Sequence, residues 1–569
     1  MRVSSIVVSA AFVCANLCAQ MSAPHAFIPP DSPLNVQPGP KSIADGTLQT
    51  YLNYVDAVHV ITSFQGKNAL LETETEPSGV HQVGRGLPLH ILSADLFGEG
   101  KWDGPVYFRS AALQSADAEG MRLFLDLSTL NQGEEIYVVD PTGPRAFGPF
   151  TKSDAVEGGR WTPTIQGDTA IIIATGSTQS LPSFEILGLS HFFRPLSDTL
   201  KLLPCHNNIA CDNDSMAQQV STGIGLMVTS GGTTLDSTVC SGALINNPDT
   251  QAFEPYFLTA WHCVPDYLFP GQVDIIWDYR ASGCGLDDPP GLASLPRSDG
   301  EVVLSSNASL DVTLMRLSSV PVGSLGRAYL GWVAETPSIG EAVLAIHHPN
   351  GSHMRITYGT VRGTNEFSDC FVQQIHVNYT NGTTEQGSSG SPVLLPGKDY
   401  RIVGVTSNGP DMSCTVTTYN DDWLGSVPDF ALQASGFLSG TTPPQPDSVP
   451  HGYCASWNPV QPLCPAALLF KDNPGILAGL RSFRDLGLNK YAAGRVVVNG
   501  YYKVAPEMAR WVATPGVARN AFTAIALPVA EWGNRMDVTG QSQAGTRSIH
   551  GTMNPTLPAQ SGLEAPTKE

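Results

Sequence analysis

Short apolar runs, each cut off by turn-forming residues, recur along most of this chain. Tyr137-Val138-Val139 stops at Asp140-Pro141-Thr142-Gly143, and the run from Thr169 to Ala174 stops at Thr175-Gly176. Phe184 to Leu189 has the same character. Runs bounded in this way by Gly, Pro and Asp are strand signals. Their spacing over residues 21–200 predicts a β-sandwich-like region. Beyond Cys205 the runs continue as Ile224 to Val228, Tyr256 to Ala260 and the alternating Leu310 to Leu317, a length that fits two antiparallel six-stranded β-barrels. Near the C-terminus the period changes. Ile476, Leu480 and Phe483 recur at i, i+4 and i+7, with Arg481 and Arg484 on other faces, which predicts helix. The expected fold is therefore an all-β core of two six-stranded barrels, preceded by a β-sandwich-like region and followed by a small helical C-terminal module.

Composition adds boundaries to this picture. The 56 glycines and 44 prolines among 569 residues, with 14% charged residues, suit a β-rich chain with many turns. Arg2, the apolar run Ile6 to Cys14 and the small residues around Ala15 and Ala19 read as a secretory signal peptide over 1–20. Ala15-Asn16-Leu17 before Cys18 does not suit a lipid anchor, and no later run is long enough to span a bilayer. The segments expected next are a pro-region or accessory domain (21–200), a core domain (201–440) and a Pro-rich linker (441–465). A helical module (466–535) and a disordered tail (536–569) follow. The expected location is extracellular, with periplasm or cell surface as variants of the same export. A net charge of −20 argues against nucleic acid as a partner. Nine cysteines follow the leader, and in an exported chain these are disulfide candidates first. No CxxC pair or HExxH is present, so no metal and no cofactor is expected.

The chemistry concentrates in three places. Gln386-Gly387-Ser388-Ser389-Gly390-Ser391-Pro392 places serines in a glycine-flanked turn whose amides are able to face a bound oxygen. By itself this is as consistent with an ordinary turn before the strand Val393-Leu394-Leu395. His262 ends the apolar strand Tyr256 to Ala260, where a base would stand at a barrel rim. His347, His348, His353 and His376 read instead as packed or surface histidines. Asp311 heads the alternating strand, where it either orients an imidazole or blunts a strand edge. Together they run His, Asp, Ser, the order of the chymotrypsin-type triad and not of subtilisin or the α/β-hydrolases.

With that order in place, Leu258-Thr259-Ala260-Trp261-His262-Cys263, Asp311-Val312-Thr313-Leu314 and Gly387 to Pro392 resemble the histidine, aspartate and nucleophile motifs of chymotrypsin-like serine proteases. Ile346-His347-His348-Pro349-Asn350-Gly351, the Gly-Ser-Ser-Gly-Ser-Pro loop and the cysteine order are most similar to the bacterial lysyl endopeptidase branch. The resemblance implies Ser389 as nucleophile, His262 as base, Asp311 as orienting acid, and the amides of Gly387 and Ser389 as oxyanion hole. It also implies Ser407 and Gly409 on the strand that pairs with substrate, and disulfides Cys205–Cys414, Cys211–Cys284 and Cys240–Cys263. Cys454–Cys464 is a further local guess that leaves Cys370 over.

Three positions depart from the trypsin pattern. Trp261 replaces a small residue beside the base. Ser388 replaces an aspartate, so no N-terminal ammonium could pair there. Thr383 stands where trypsin keeps its specificity acid. The resemblance to the lysyl endopeptidase branch, which places its pocket acid after the last cysteine, implies Asp422 for that role, with Asp421 as the alternative. The expected function is a monomeric, secreted serine endopeptidase acting on proteins or peptides, with lysine preferred before the cut bond. A catalytically silent binding protein on the same barrels is the alternative. Such a specificity predicts maturation by a cut after Lys201, just ahead of Cys205.

Overall fold

The computed structural model describes residues 22–30, 32, 45–55, 57–61, 81–142, 146–156, 159–196, 204–231, 235–248, 253–265, 270–286, 288–368, 371–409, 414, 420–438 and 523–529. The expected signal peptide, Pro-rich linker and C-terminal tail lie outside these residues, as do Lys201, Cys370, Cys454, Cys464 and the Ile476–Leu480–Phe483 face. The chain forms two units, Met1–Pro462 and Leu463–Glu569. In the second, residues 523–529 are helical.

In the first unit two short strands, β1 (Ser22–Ala23) and β2 (Ala26–Ile28), come before a sandwich. The sandwich comprises β3 (Ala57–Ile61), β4 (His81–Leu92), β5 (Lys101–Asp103), β6 (Val106–Ser115), β7 (Gly120–Asp126), β8 (Glu135–Val139), β9 (Ala146–Phe150), β10 (Arg160–Trp161), β11 (Ile165–Gln166), β12 (Thr169–Gly176) and β13 (Glu185–Phe192). One sheet runs β3-β6-β12-β8-β9, and the other holds β7, β13 and β4. Leu113, Ile136, Val138 and Ile172 meet Leu123, Ile186 and Leu189 in the space between the sheets. This is the alternation that makes the sequence readable here: every second side chain of a sandwich strand enters one core.

After β14 (Asn207–Asn208) come the strands of the first barrel: β15 (Ile224–Ser230), β16 (Ser237–Leu244), β17 (Tyr256–Thr259), β18 (Val273–Ile276), β19 (Arg297–Asn307) and β20 (Val312–Leu317). They pair in the order β16-β15-β18-β19-β20-β17, and β17 returns to β16, so the six close. Phe257, Ile275, Trp277 and Met315 fill the interior. Beyond β21 (Arg327–Tyr329) and β22 (Trp332–Val333), the second barrel uses β23 (Ala342–His347), β24 (Arg355–Ser368), β25 (Phe371–Asn381), β26 (Pro392–Leu395), β27 (Arg401–Asn408) and β28 (Asp421–Ser426). Their order is β27-β26-β23-β24-β25-β28, closed by β28 on β27. Closure leaves little free edge in either barrel, since β16 meets β17 only at Ala243 and Leu244 and keeps Ser237–Val239 open for pairing elsewhere.

Every residue of β15, β16, β17 and β18 is buried. A barrel strand normally shows one face to water. Here the second barrel and the sandwich cover the outer face as well. The sandwich sheet continues directly into the first barrel through β4 on β16. Across this junction Arg122 of β7, fully buried, donates to Thr162 O and Gln272 O (both 2.8 Å), Ser230 Oγ (2.8 Å) and Val228 O (3.3 Å). Burial lowers its pKa to about 10, and it stays charged at neutral pH.

Disulfides Cys205–Cys414, Cys211–Cys284 and Cys240–Cys263 close loops of 209, 73 and 23 residues. Loops of these lengths restrict the unfolded chain by roughly 3–5 kcal/mol each in the chain-entropy account. Among the described residues no helix is long and apolar enough to cross a membrane.

Arg122→Ala would strand several buried acceptors and should destabilise by roughly 3 kcal/mol or more. The exposed Arg316–Glu301 pair offers a control, since Arg316→Ala should cost under about 1 kcal/mol. Denaturant titration of the two variants checks the contrast; equal losses would refute it.

Candidate active site

β17 carries the chain through Ala260 and the buried Trp261 to His262, at the seam between the barrels. Asp311, the residue before β20, adopts a left-handed backbone (φ 57°), which Asp tolerates better than most residues. In that position its carboxylate accepts from the His262 amide (2.9 Å), His262 Nδ1 (2.7 Å) and Ser407 Oγ of β27 (2.5 Å). Both His262 and Asp311 side chains are wholly buried. An Nδ1–H bound to carboxylate fixes the tautomer and leaves the lone pair on Nε2, which is what a general base requires. The sulfurs of Cys240 and Cys263 lie within 4.8 Å of the His262 ring nitrogen, but they are joined to each other and so are not available as metal ligands.

The serine turn is tied down on all sides. Ser389 O accepts from Ser241 N (2.8 Å), Gly387 O accepts from Ser241 Oγ (2.9 Å), and Gly390 N donates to Thr406 O (2.7 Å). Gly387 has φ 85°, and a Cβ there would stand 3.0 Å from Asn350 N; a Cβ on Gly390 would overlap Thr259 Oγ1 at 2.1 Å. Both glycines are required by geometry. Gln386 O accepts from Asn350 N at 2.6 Å. Because carbonyl and N–H point opposite ways across a trans peptide, this bond turns the Gly387 N–H away from Asn350. Neither the Gly387 nor the Ser389 amide finds an acceptor among the described residues.

Ser388 and His347 form a second, fully buried contact, Oγ to Nδ1 at 2.7 Å. Ser388 Oγ also accepts from Glu385 N (3.1 Å). Burial, reinforced by His206, His348 and Arg355, holds the His347 pKa well below its ordinary value. A neutral serine–histidine pair thus occupies the place where a charged acid would require an ammonium. His348 is buried likewise, its pKa pushed down to about 4.

The two candidate pocket acids face opposite ways, as neighbours on a strand must. Asp421 Oδ1 accepts from His376 Nε2 and Asn378 Nδ2, both at 3.0 Å, and His376 stacks on Trp423 at 4.7 Å. Asp422 is 2% exposed and accepts from Thr384 Oγ1 at 3.1 Å. No lysine or arginine of the described residues pairs with it. Burial raises its pKa well above the carboxylate range, with the Thr384 bond opposing and Asp421 adding to the rise. Thr383 is buried beside Thr384, Ser407 is spent on Asp311, and Gly409 is exposed. The roles of Thr384, Asn350 and His347 were invisible in the sequence, because each acts through a partner far along the chain.

Residues 203–425 match the family model of the lysyl endopeptidase C-terminal domain. The matched segment takes in both barrels. A lysyl endopeptidase of Pseudomonas aeruginosa is 24% identical over 312 residues, covering 52% of this chain and 67% of the relative. Among solved structures, the active form of the Rv3671c protease from M. tuberculosis is 16% identical, covering 45% of this chain and 96% of its own, with a TM-score of 0.29. A serine endoprotease from Yersinia pestis is 15% identical, covering 39% and 65%, with a TM-score of 0.26.

His348 yields a pH prediction. Its folded pKa is depressed, so the unfolded chain binds the extra proton as pH falls below about 6.5. Stability should therefore decline between about pH 6.5 and pH 4, by up to about 3 kcal/mol from this residue. His348→Asn keeps a donor for Ser352 O and should decline less steeply; parallel curves for the two proteins would contradict the assignment.

Proposed function

We propose that this protein is an exported serine endopeptidase that cuts after lysine, using His262, Asp311 and Ser389. The observation that carries it is the buried Asp311–His262 pair in the same seam as a serine turn with two unclaimed amides. In this reading His262 Nε2 takes the Ser389 proton as the oxygen attacks the scissile carbonyl. The amides of Gly387 and Ser389 receive the developing oxyanion. His262 then protonates the leaving amine, Asp311 stabilises the imidazolium, and water hydrolyses the acyl-enzyme by the same route. Three disulfides suit an extracellular or periplasmic setting.

Asp422 supports the basic specificity. A buried carboxylate with only a hydroxyl donor is a poor state for the empty enzyme and a good one once a cation enters. The choice of lysine over arginine is supported by the protein's own composition. Residues 205–438 contain seven arginines and a single lysine, Lys398, whereas nine further lysines lie outside. A protease that cut after arginine would gain nothing from this bias. Lys398 itself is held in an ion pair with Glu335.

Peptides with Lys, Arg, Glu, Phe or Ala before the cut bond, run beside Ser389→Ala, test the reading. Lysine should be preferred, and Ser389→Ala should lose roughly four or more orders of magnitude in kcat; undiminished hydrolysis by the variant would sink the triad. Asp422→Asn should lose about a hundredfold or more in kcat/KM on lysine peptides. The same variant should be more thermostable than the wild type at pH 8. A raised folded pKa means the carboxylate destabilises only once it ionises, so the difference should vanish near pH 4. A variant equally stable at both pH values would rule out a buried charge at 422.

A further inference from the structure

The sandwich would be a detachable pro-region if it met the barrels through an ordinary docking face. Its contacts are of another kind. β4 continues the first barrel's sheet, pairing Gly84 with Ser237, Gln82 with Thr238 and His81 with Val239. Val83, Phe192 and Leu196 share one apolar cluster with Leu226, Val228, Val239 and Ile276 of the barrel. Buried and part-buried polar bonds surround it. Besides the Arg122 fan, Thr164 N donates to Asp274 Oδ2 (2.8 Å), and Arg160 pairs with Asp299 (2.6 Å). Removing the sandwich would bare three β16 residues to water and strand buried Asp274 with one partner fewer.

The chain ahead of the sandwich is held even more deeply. β1 pairs with β22 and β2 with β21, both segments between the two barrels. Ala23 is fully buried in the core that the barrels share, and Asn246 Nδ2 donates to Pro24 O at 2.9 Å. Residues 22–28 are thus strands of the protease domain, separated from it only in sequence.

This docking reaches the reaction centre. His81, the first residue of β4, places Nδ1 3.3 Å from Gln386 Oε1. Gln386 is the residue whose carbonyl, held by Asn350, orients the Gly387 amide. Its two hydrogen-bonding ends are therefore fixed from different parts of the chain: the carbonyl by the second barrel, the side chain by the N-terminal region.

We propose that the sandwich and strands β1 and β2 remain a permanent part of the enzyme after any cut between 197 and 203, and that His81 is a positioning residue for the oxyanion turn. A cut after Lys201 would then change covalent continuity without freeing the N-terminal piece. The His81 role rests on the catalytic reading above; the retention does not.

Retention is tested on the full-length Ser389→Ala chain carrying a site for a sequence-specific protease between 198 and 203. After complete cutting, size-exclusion chromatography at 0.15 M and 1 M NaCl should keep both pieces together at the size of the uncut protein. Separation at either salt overturns the proposal. For His81, the intact enzyme is compared with His81→Ala and His81→Gln on a lysine peptide. His81→Ala should lower kcat roughly tenfold with KM changed less than about twofold, and His81→Gln should recover most of it, because an amide can still donate to Gln386. Unchanged kcat in His81→Ala removes the positioning role. An inactive wild type would instead strike at the catalytic reading, leaving the co-elution result to stand by itself.

Discussion

The Asp311 carboxylate is the point on which the rest of the double barrel converges. Three donors reach it, two from His262 and one from Ser407, and they come from both barrels. A charge with no exposure to water is tolerable only when its oxygens are filled in this way. Filling them requires β17 and β20 of the first barrel to lie at a fixed distance from β27 of the second. The apolar cluster that the barrels share, from Leu258 and Val312 to Leu344 and Val405, holds that distance. Packing at the seam and geometry at His262 are one constraint.

Around that anchor the site is built from buried polar groups with few alternatives. Ser241 alone touches Gly387, Ser389 and His348. Ser388 and His347 settle the turn without a formal charge, so its shape does not depend on a newly made N-terminus. Asp422 is the exception, a buried carboxylate with a single hydroxyl donor among the described residues. That imbalance is expected where a site stores destabilisation that its ligand relieves.

Much of this was legible in the chain, and the reasons for the rest are physical. The sandwich strands alternate because each has one core to face, and Tyr137–Val139 and Thr169–Ala174 lie within β8 and β12. The strands of the first barrel do not alternate in exposure, because Ile224–Ser230 is covered on both faces, and only the turns between them mark their limits. His262, Asp311 and the serine turn carry local motifs and could be found one at a time. Asp422 could be narrowed only to a pair, since strand neighbours share sequence context but not direction. The His81–Gln386 contact spans 305 residues and has no local trace at all. Nor did the sequence hint that residues 22–28 belong among the barrel strands.

The Cys205–Cys414 bridge has a bearing on how the proposed protease would survive its own company. It joins the beginning of the double barrel to a point near its end, making most of the domain a covalent circle. The sole lysine of that domain, Lys398, lies on the arc between the two cysteines. Under the proposed cleavage after lysine, a neighbouring copy that cut there would open the circle and yet release no fragment. The damaged molecule keeps both halves at the concentration of a single chain, where the barrel strands are able to find each other again.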